Sequence, residues 1–177
     1  MDAIKIYDVT KEEQDHIVVE LKEITWENYE KVLALKVAKN QENFLSSNAE
    51  SLAEAYLDSK EEKSSYVPLA IVSGDEVVGF LMYVYCDPQG AEGYRQQEPY
   101  FRLFRFMIGE AHQGKGYGRS ALAKLLEHMK TRPHGPTNNI FTCYEKSNVV
   151  VRKLYASLGF VEVGIDEDGD IDARLDI

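Results

Sequence analysis

Apolar and polar positions in the middle of the chain follow the pattern of paired β-strands. Tyr66–Val72 and Val77–Tyr85 are rich in β-branched and aromatic residues, and the turn-forming residues SGDE lie between them. This arrangement predicts a β-hairpin at the start of a sheet. Further strands are predicted over His16–Ile24, Phe101–Ile108 and Asn139–Tyr144, with two more within Phe160–Ile177 on either side of the turn DEDGD.

Four other stretches carry apolar residues at helical spacing. The predicted helices are WENYEKVLALKV with Thr25 as its N-cap, AESLAEAYLD with Asn48 as its N-cap, a helix from Arg119 that the segment RPHGP ends, and Asn148–Leu158. The order of elements gives an α/β (α+β) fold with one visible β–α–β crossover. A stretch of polar residues with two Pro and two Gly, Asp87–Pro99, is expected to be a loop.

Length and charge limit the possible functions. The 177 residues are enough for one domain, which we expect to span residues 1–177. No stretch approaches the roughly 20 apolar residues of a membrane span, so no membrane partner is expected. With 20 Lys+Arg against 30 Asp+Glu, the net charge of -10 also disfavours nucleic acid as a partner. Isolated cysteines and a start without signal-peptide features favour the cytoplasm.

A glycine-rich turn is the strongest local candidate for chemistry. QGKGYG, over Gln113–Gly118, lies between a predicted strand and a predicted helix. Small residues there let backbone N–H groups approach an anion, and the helix dipole favours negative charge. A purely structural turn is the alternative. No group of His, Cys or carboxylate residues has the spacing of metal ligands, and we expect no metal.

Two nucleotide motifs nearly match this turn. GEAHQGK has the P-loop spacing, but Gly116 follows where a Ser or Thr hydroxyl should bind magnesium. Gly116, Gly118 and Ala121 fit GxGxxA, and Glu145 follows at roughly the distance at which a dinucleotide-binding fold places its ribose-binding acid. A dinucleotide site is therefore the serious rival interpretation. Against it, that fingerprint normally follows the first strand, whereas this turn lies past the middle of the chain.

Two segments together resemble a known superfamily. RFMIGEAHQGKGYG, and then SNVVVRKLYASLGF after the next strand, are similar to the two acetyl-coenzyme A motifs of the GNAT superfamily of N-acetyltransferases. Over roughly Ile17–Ile177 the chain looks like the bacterial diamine or spermine/spermidine N-acetyltransferases. The resemblance implies one GNAT domain with a mixed, mostly antiparallel twisted sheet of about seven strands, about four flanking helices and a parallel crossover at the cofactor site.

The resemblance also implies which residues bind acetyl-coenzyme A. The diphosphate would lie on backbone amides of the glycine-rich turn, and the pantetheine arm beside the preceding strand, where an N–H near Met107 would polarise the thioester carbonyl. Val151 and Gly109 depart from the family pattern. The implied cofactor-binding residues are Phe106, Met107, Ile108, Gln113, Gly114, Lys115, Gly116, Tyr117, Gly118, Arg119, Asn148 and Tyr155.

Tyr155 matches the family tyrosine that protonates the departing thiolate. It follows Asn148 by seven residues, which is two helical turns, so both side chains are expected on one side of the helix. The alternative from spacing alone is that Asn148 is only an N-cap and Tyr155 only a core aromatic residue. Cys143 is a possible nucleophile, although a lone cysteine on an apolar strand is usually a buried hydrophobic residue.

The acceptor amine must lose a proton before it attacks, because a primary alkylammonium has a pKa of about 10. A carboxylate would remove that proton. Glu145 and Glu42 rank first as the base, ahead of Glu27 and Glu98, although each of them also suits a solvated surface. The predicted substrate-binding residues are Glu27, Glu42, Tyr85 and Glu145, and the aromatic residues Trp26, Phe44, Tyr83 and Tyr85 would line either the channel or the core.

The sequence thus predicts an acetyl-coenzyme A-dependent N-acetyltransferase. Its acceptor would be a primary amine of a small polyamine, which attacks directly in a ternary complex, and a net charge of -10 suits a polycation. The alternatives are another amine, such as an aminoglycoside, an amino acid or a protein N-terminus, or a non-catalytic acyl-coenzyme A-binding module. A homodimer is compatible with this interpretation.

Overall fold

The computed structural model describes residues 17–60, 65–87 and 98–177. The predicted strand start at His16 and most of the predicted loop after Asp87 lie outside these residues. The strands are β1 (Glu20–Glu23), β2 (Ser65–Ser73), β3 (Glu76–Cys86), β4 (Tyr100–Ile108), β5 (Asn139–Tyr144), β6 (Val161–Ile165) and β7 (Ile171–Asp176). The helices are α1 (Tyr29–Ala34), α2 (Asn48–Asp58), α3 (Tyr117–Lys130) and α4 (Val149–Ser157), with 3-10 helices at Lys39–Phe44 and Glu110–His112.

The described strands form one seven-stranded sheet in the order β1-β2-β3-β4-β5-β7-β6. Neighbouring strands are antiparallel except β4 and β5, which are joined through α3 and run parallel. The mixed, mostly antiparallel sheet with four α-helices and one crossover confirms the predicted fold class. A repeating β–α–β half, which a dinucleotide-binding fold requires, does not occur among the described residues.

The predicted N-caps of the first two helices are wrong. Thr25 lies in a preceding turn, where its hydroxyl accepts a hydrogen bond from the Glu27 backbone N–H, and α1 begins only at Tyr29. Ser47 caps α2 instead of Asn48, because its hydroxyl accepts from the Glu50 N–H while the Glu50 carboxylate accepts from the Ser47 N–H. Asn48 becomes the first residue of the helix.

The two faces of the sheet carry different helices. Leu122, Leu125 and Met129 of α3 are fully buried and belong, with Tyr155 of α4, to one apolar core on one face. Val32 of α1 belongs to a second core formed by the other side chains of β2, β3 and β4 and packed by α2. The amphipathic spacing of these helices explains the arrangement, because each buries a single apolar stripe.

The parallel strands separate after a short stretch. β4 pairs with β5 only over Phe101–Leu103, opposite Ile140–Thr142. β4 then continues through Phe104–Ile108 without pairing to β5, so its backbone edge on that side is open there. The Thr142 hydroxyl donates to the Leu103 carbonyl at 3.2 Å, which fixes the apex of the separation. Such an opening suits an extended ligand that uses main-chain hydrogen bonds.

Candidate active site

A cleft of about 520 Å³ lies at the open end of β4, between the starts of α3 and α4. Its walls are mostly apolar, with a few polar groups that can orient a ligand. Val37, Gln41, Phe44 and Leu45 close it on the side of the first 3-10 helix. Many of the predicted cofactor-binding residues line it, namely Phe106, Met107, Ile108, Gln113, Gly114, Gly116, Tyr117, Gly118, Arg119 and Asn148, whereas Lys115 and Tyr155 do not.

The glycine-rich turn has the backbone that an anion cradle needs. Gly114 and Gly116 have φ angles of +73° and +84°, in the left-handed region that side chains disfavour. A Cβ on Gly116 would also lie 2.7 Å from Ile17 Cδ1. Gly116 directly precedes α3, whose first N–H groups have no partner within the helix and carry the positive end of its dipole. The N–H groups in this part of the cleft can therefore bind an anion such as a diphosphate.

Side chains of the same turn hold it in place. The Gln113 amide nitrogen donates to the Ile108 carbonyl at 2.9 Å and to Gln41 Oε1 at 2.7 Å, which ties the turn to the end of β4. Lys115 Nζ donates to the Ala111 carbonyl. Arg119 Nη1 donates to Ser157 Oγ at 2.7 Å and so joins α3 to the end of α4. The backbone N–H groups at the start of α3 are left for a ligand.

Asn148 and Tyr155 differ in how far they are buried. Asn148 lines the cleft, and its Oδ1 accepts from the Val151 N–H at 3.2 Å as an N-cap. Tyr155 is 4% exposed and packs against Tyr144 and Phe160. Burial raises the pKa of Tyr155 above its ordinary 10.0, while a hydrogen bond with the Thr142 side chain partly offsets the effect.

Thr142, whose side chain affects the pKa of Tyr155, lies at the apex of the separation. Thr142 is the last residue of β5 that pairs with β4, and its hydroxyl bonds the Leu103 carbonyl. A buried phenol with a raised pKa stays protonated at neutral pH and can donate a proton there. The role of Tyr155 as an acid stays a prediction.

None of the predicted carboxylates lines the cleft. Glu42 is exposed and lines a second cavity. Glu145 is exposed just after β5, and its carboxylate accepts from Ser147 Oγ at 2.6 Å. Glu27 and Glu98 are also exposed, and like Glu145 they line neither cavity.

Most of the predicted channel aromatics lie elsewhere. The Tyr85 hydroxyl donates to the Pro136 carbonyl, and its ring stacks on His134 near the opposite end of β4 from the cleft. Tyr83 is buried in the core, and its hydroxyl bonds His128 and His134. Trp26 is 88% exposed. Phe44 alone among these four lines the cleft, because the others sit on elements that long-range packing directs away from it.

A second cavity of about 430 Å³ adjoins the first and was not predicted. It lies between the segment after α1, the start of α2 and β4, and it shares Val37, Leu45 and Met107 with the cleft. Glu42 and Asn48 are among its lining residues. The 3-10 helix that forms part of its wall carries no apolar periodicity from which a sequence pattern could locate it.

Acidic residues lie close together just beyond the point where β4 and β5 separate. Cys143 Sγ and carboxylate oxygens of Asp166 and Asp170 lie within 4.8 Å of one another. These residues come from β5 and from the turn between β6 and β7, so their proximity could not be read from sequence spacing. Burial, followed by the charges of Asp166 and Glu145, raises the pKa of Asp170. The group thus brings two carboxylates close to Cys143, whose Sγ also accepts a hydrogen bond from Arg102 Nη2 at 3.1 Å.

Fold and cleft together are those of an acetyltransferase that takes its acetyl group from acetyl-coenzyme A. The chain belongs to the acetyltransferase (GNAT) family, whose model matches residues 18–160. The GNAT match and the single parallel pair remove the dinucleotide-binding alternative. Within the described residues no helix is long and apolar enough to cross a membrane. Cytoplasmic location and a homodimer stay predictions.

One curated relative and two solved structures resemble most of the chain. The chain is 28% identical over 142 residues to the spermine/spermidine N(1)-acetyltransferase of Bacillus subtilis (strain 168), covering 80% of this chain and 87% of that protein. The aminoglycoside acetyltransferase AAC(6')-Ib in complex with coenzyme A superposes with a TM-score of 0.67 at 20% identity, over 90% of this chain and 95% of that one. The PaiA N-acetyltransferase of Thermoplasma acidophilum, also with coenzyme A, gives 0.61 at 14%, over 90% and 99%. The last two likenesses show the fold.

Proposed function

We propose that the protein transfers the acetyl group of acetyl-coenzyme A to a primary amine of a small polyamine. The observation that carries this proposal is the acidic group beside the apex, where Cys143, the next residue after the last paired residue of β5, lies close to Asp166 and Asp170. A polyamine carries several positive charges, which such a group attracts and orients. The 28% identity to a spermine/spermidine N(1)-acetyltransferase points to the same substrate class.

Coenzyme binding would use main-chain groups of this chain. The N–H groups after Gly116 would hold the diphosphate, and the open edge of β4 over Phe104–Ile108 would pair with the amide groups of the pantetheine arm. Acetyl-coenzyme A supplies an activated acetyl thioester. A β4 N–H near Met107 would donate to the thioester oxygen and stabilise the negative charge that develops on it.

Side chains would carry out the two proton transfers of the reaction. A carboxylate, Glu145 or Glu42, takes a proton from the amine directly or through water, so that the nitrogen lone pair is free to attack. Tyr155 gives a proton to the sulfur as the carbon–sulfur bond breaks. The products are an N-acetyl amine and free coenzyme A thiol. No covalent acyl-enzyme is needed, and Cys143 takes no part as a nucleophile.

The substrate class is tested by measuring thiol release from acetyl-coenzyme A with spermidine, spermine, putrescine, n-butylamine and kanamycin. We expect kcat/KM for spermidine to exceed that for n-butylamine by about 10-fold or more at low ionic strength, because both bring a primary amine but only spermidine brings further charges. The advantage should shrink as salt is added. A higher kcat/KM for kanamycin would contradict the polyamine proposal, and coenzyme binding without turnover of any amine would indicate a non-catalytic module.

A variant that lacks one carboxylate of the acidic group tests whether this group binds the polyamine. Asp170→Asn removes one carboxylate of the acidic group and should raise KM for spermidine by about 5-fold, with KM for acetyl-coenzyme A unchanged. Asp170 is preferred to Asp166, whose carboxylate accepts backbone N–H bonds from Asp168 and Asp170 and so holds the turn. Glu127→Gln, which removes one charge from the exposed side of α3, is the matched control. Equal KM values for spermidine in the two variants would count against the acidic group.

A further inference from the structure

Asn48 is a buried polar side chain beside the reaction site. It is 8% exposed, begins α2 and lines the second cavity. It does not cap the helix, since Ser47 does so. Buried polar side chains normally form hydrogen bonds. If such a side chain also lines a cavity, a donor or acceptor that it has not used can bind a ligand.

The hydrogen bonds of Asn48 fix the orientation of its amide. Nδ2 donates to the Val32 carbonyl at 2.8 Å and faces Met107 Sδ at 3.9 Å. A carbonyl oxygen and a thioether sulfur only accept hydrogen bonds, so the nitrogen must point towards them. Oδ1 therefore points away from both. It accepts no hydrogen bond from the described residues, and Asn48 lines the second cavity, so a molecule in that cavity can donate to Oδ1.

The position of the second cavity indicates which molecule would donate to Asn48 Oδ1. Val37, Leu45 and Met107 line both the second cavity and the coenzyme cleft, so the two spaces meet at β4. The coenzyme arm would occupy the cleft on the open edge of β4. A second substrate that reaches the thioester through the adjoining cavity passes Asn48 just before it reaches Met107.

We propose that Asn48 Oδ1 accepts a hydrogen bond from the nitrogen of the acceptor amine and so holds this nitrogen beside Met107 for attack. This inference rests on the proposed amine acetylation. A neutral carbonyl oxygen suits the task, because it binds the N–H of a neutral amine without stabilising the ammonium form as a carboxylate would. Asn48 is thus an acceptor-binding residue, while the base is a separate carboxylate such as Glu42, which lines the same cavity.

The test compares Asn48→Ala and Asn48→Asp with the native protein, using spermidine or, if another amine in the panel has a higher kcat/KM, that amine. We expect Asn48→Ala to raise KM for the amine by about 10-fold and to leave KM for acetyl-coenzyme A within about twofold. Asn48→Asp should move the kcat/KM profile to higher pH, because its carboxylate holds the amine protonated. Ser51→Ala, a fully buried change in α2 outside the cavity, controls for helix packing.

An amine KM within about twofold of native in Asn48→Ala, or a pH profile that does not move in Asn48→Asp, would overturn the proposal. The panel itself separates this failure from that of the polyamine proposal, since the variants are assayed with whichever amine the native protein prefers. If the variants do not fold, a structure of the native protein with coenzyme A and the amine decides. The amine nitrogen should lie within hydrogen-bonding distance of Asn48 Oδ1, and a nitrogen bound elsewhere overturns the assignment.

Discussion

Tyr155→Phe is expected to lower kcat by about 100-fold and to leave KM for acetyl-coenzyme A within about twofold, because a general acid typically contributes that much to the rate. The phenylalanine keeps the ring that packs against Tyr144 and Phe160 but lacks the proton that the departing thiolate needs. Thr142, whose side chain affects the pKa of Tyr155, lies at the apex between β4 and β5. Steady-state thiol release with the preferred amine measures the effect.

Tyr144→Phe is the matched control. Tyr144 is also buried, its ring lies 5.6 Å from that of Tyr155, and its hydroxyl donates to Glu162 on the surface of β6. Removing that hydroxyl should cost about 1 kcal/mol of stability and leave kcat almost unchanged. If Tyr155→Phe kept kcat within about threefold of native, or if both variants lost the same activity, Tyr155 would be a core residue only.

Gly116→Val is expected to weaken binding of coenzyme A by about 100-fold, which is the loss of roughly two good phosphate hydrogen bonds. Gly116 has a φ of +84°, and a Cβ would meet Ile17 Cδ1 at 2.7 Å. A β-branched residue is strained in this conformation, so the turn must move and its N–H groups leave the diphosphate. Isothermal titration with coenzyme A measures the change without any dependence on the amine.

Gly74→Val separates strain from ligand binding. Gly74 has a φ of +58° in the turn between β2 and β3, and a Cβ there meets nothing within 4 Å. It carries a similar backbone penalty but does not line the cleft, so this variant should lose stability but bind coenzyme A normally. Normal affinity in Gly116→Val, or equal losses of affinity in both variants, would refute the assignment of the turn to the diphosphate.

Local patterns located most of the strands and helices and the glycine-rich turn, whereas the seven-stranded sheet was predicted from the resemblance to the GNAT superfamily. The alternating strands, the helix from the glycine-rich turn and the crossover to β5 follow from periodicity and turn residues that are contiguous in sequence. Helix starts were less well determined, because Ser47 and Asn48 are both good N-caps. The burial of Asn48 against Val32 and Met107 decides between them, and this contact joins residues far apart in the chain.

The residues that would contact the acceptor amine could be predicted only in part, because they too come together from distant parts of the chain. Asp166 and Asp170 meet Cys143 through the pairing of β7 with β5, which no spacing along the chain reveals. The prediction of Tyr85 as a substrate contact relied on residue type, whereas the register of β3 against β4 carries Tyr85 away from the cleft. Motifs that act through contiguous backbone are readable from sequence, and side-chain groups assembled from distant strands are not.

A crystal structure of the protein with coenzyme A would show directly whether the glycine-rich turn binds the diphosphate. We expect the diphosphate oxygens to accept hydrogen bonds from backbone N–H groups of the turn between Gln113 and Arg119, and the sulfur to lie near the Tyr155 hydroxyl. A coenzyme bound with its diphosphate away from this turn, or with its sulfur remote from Tyr155, would contradict it.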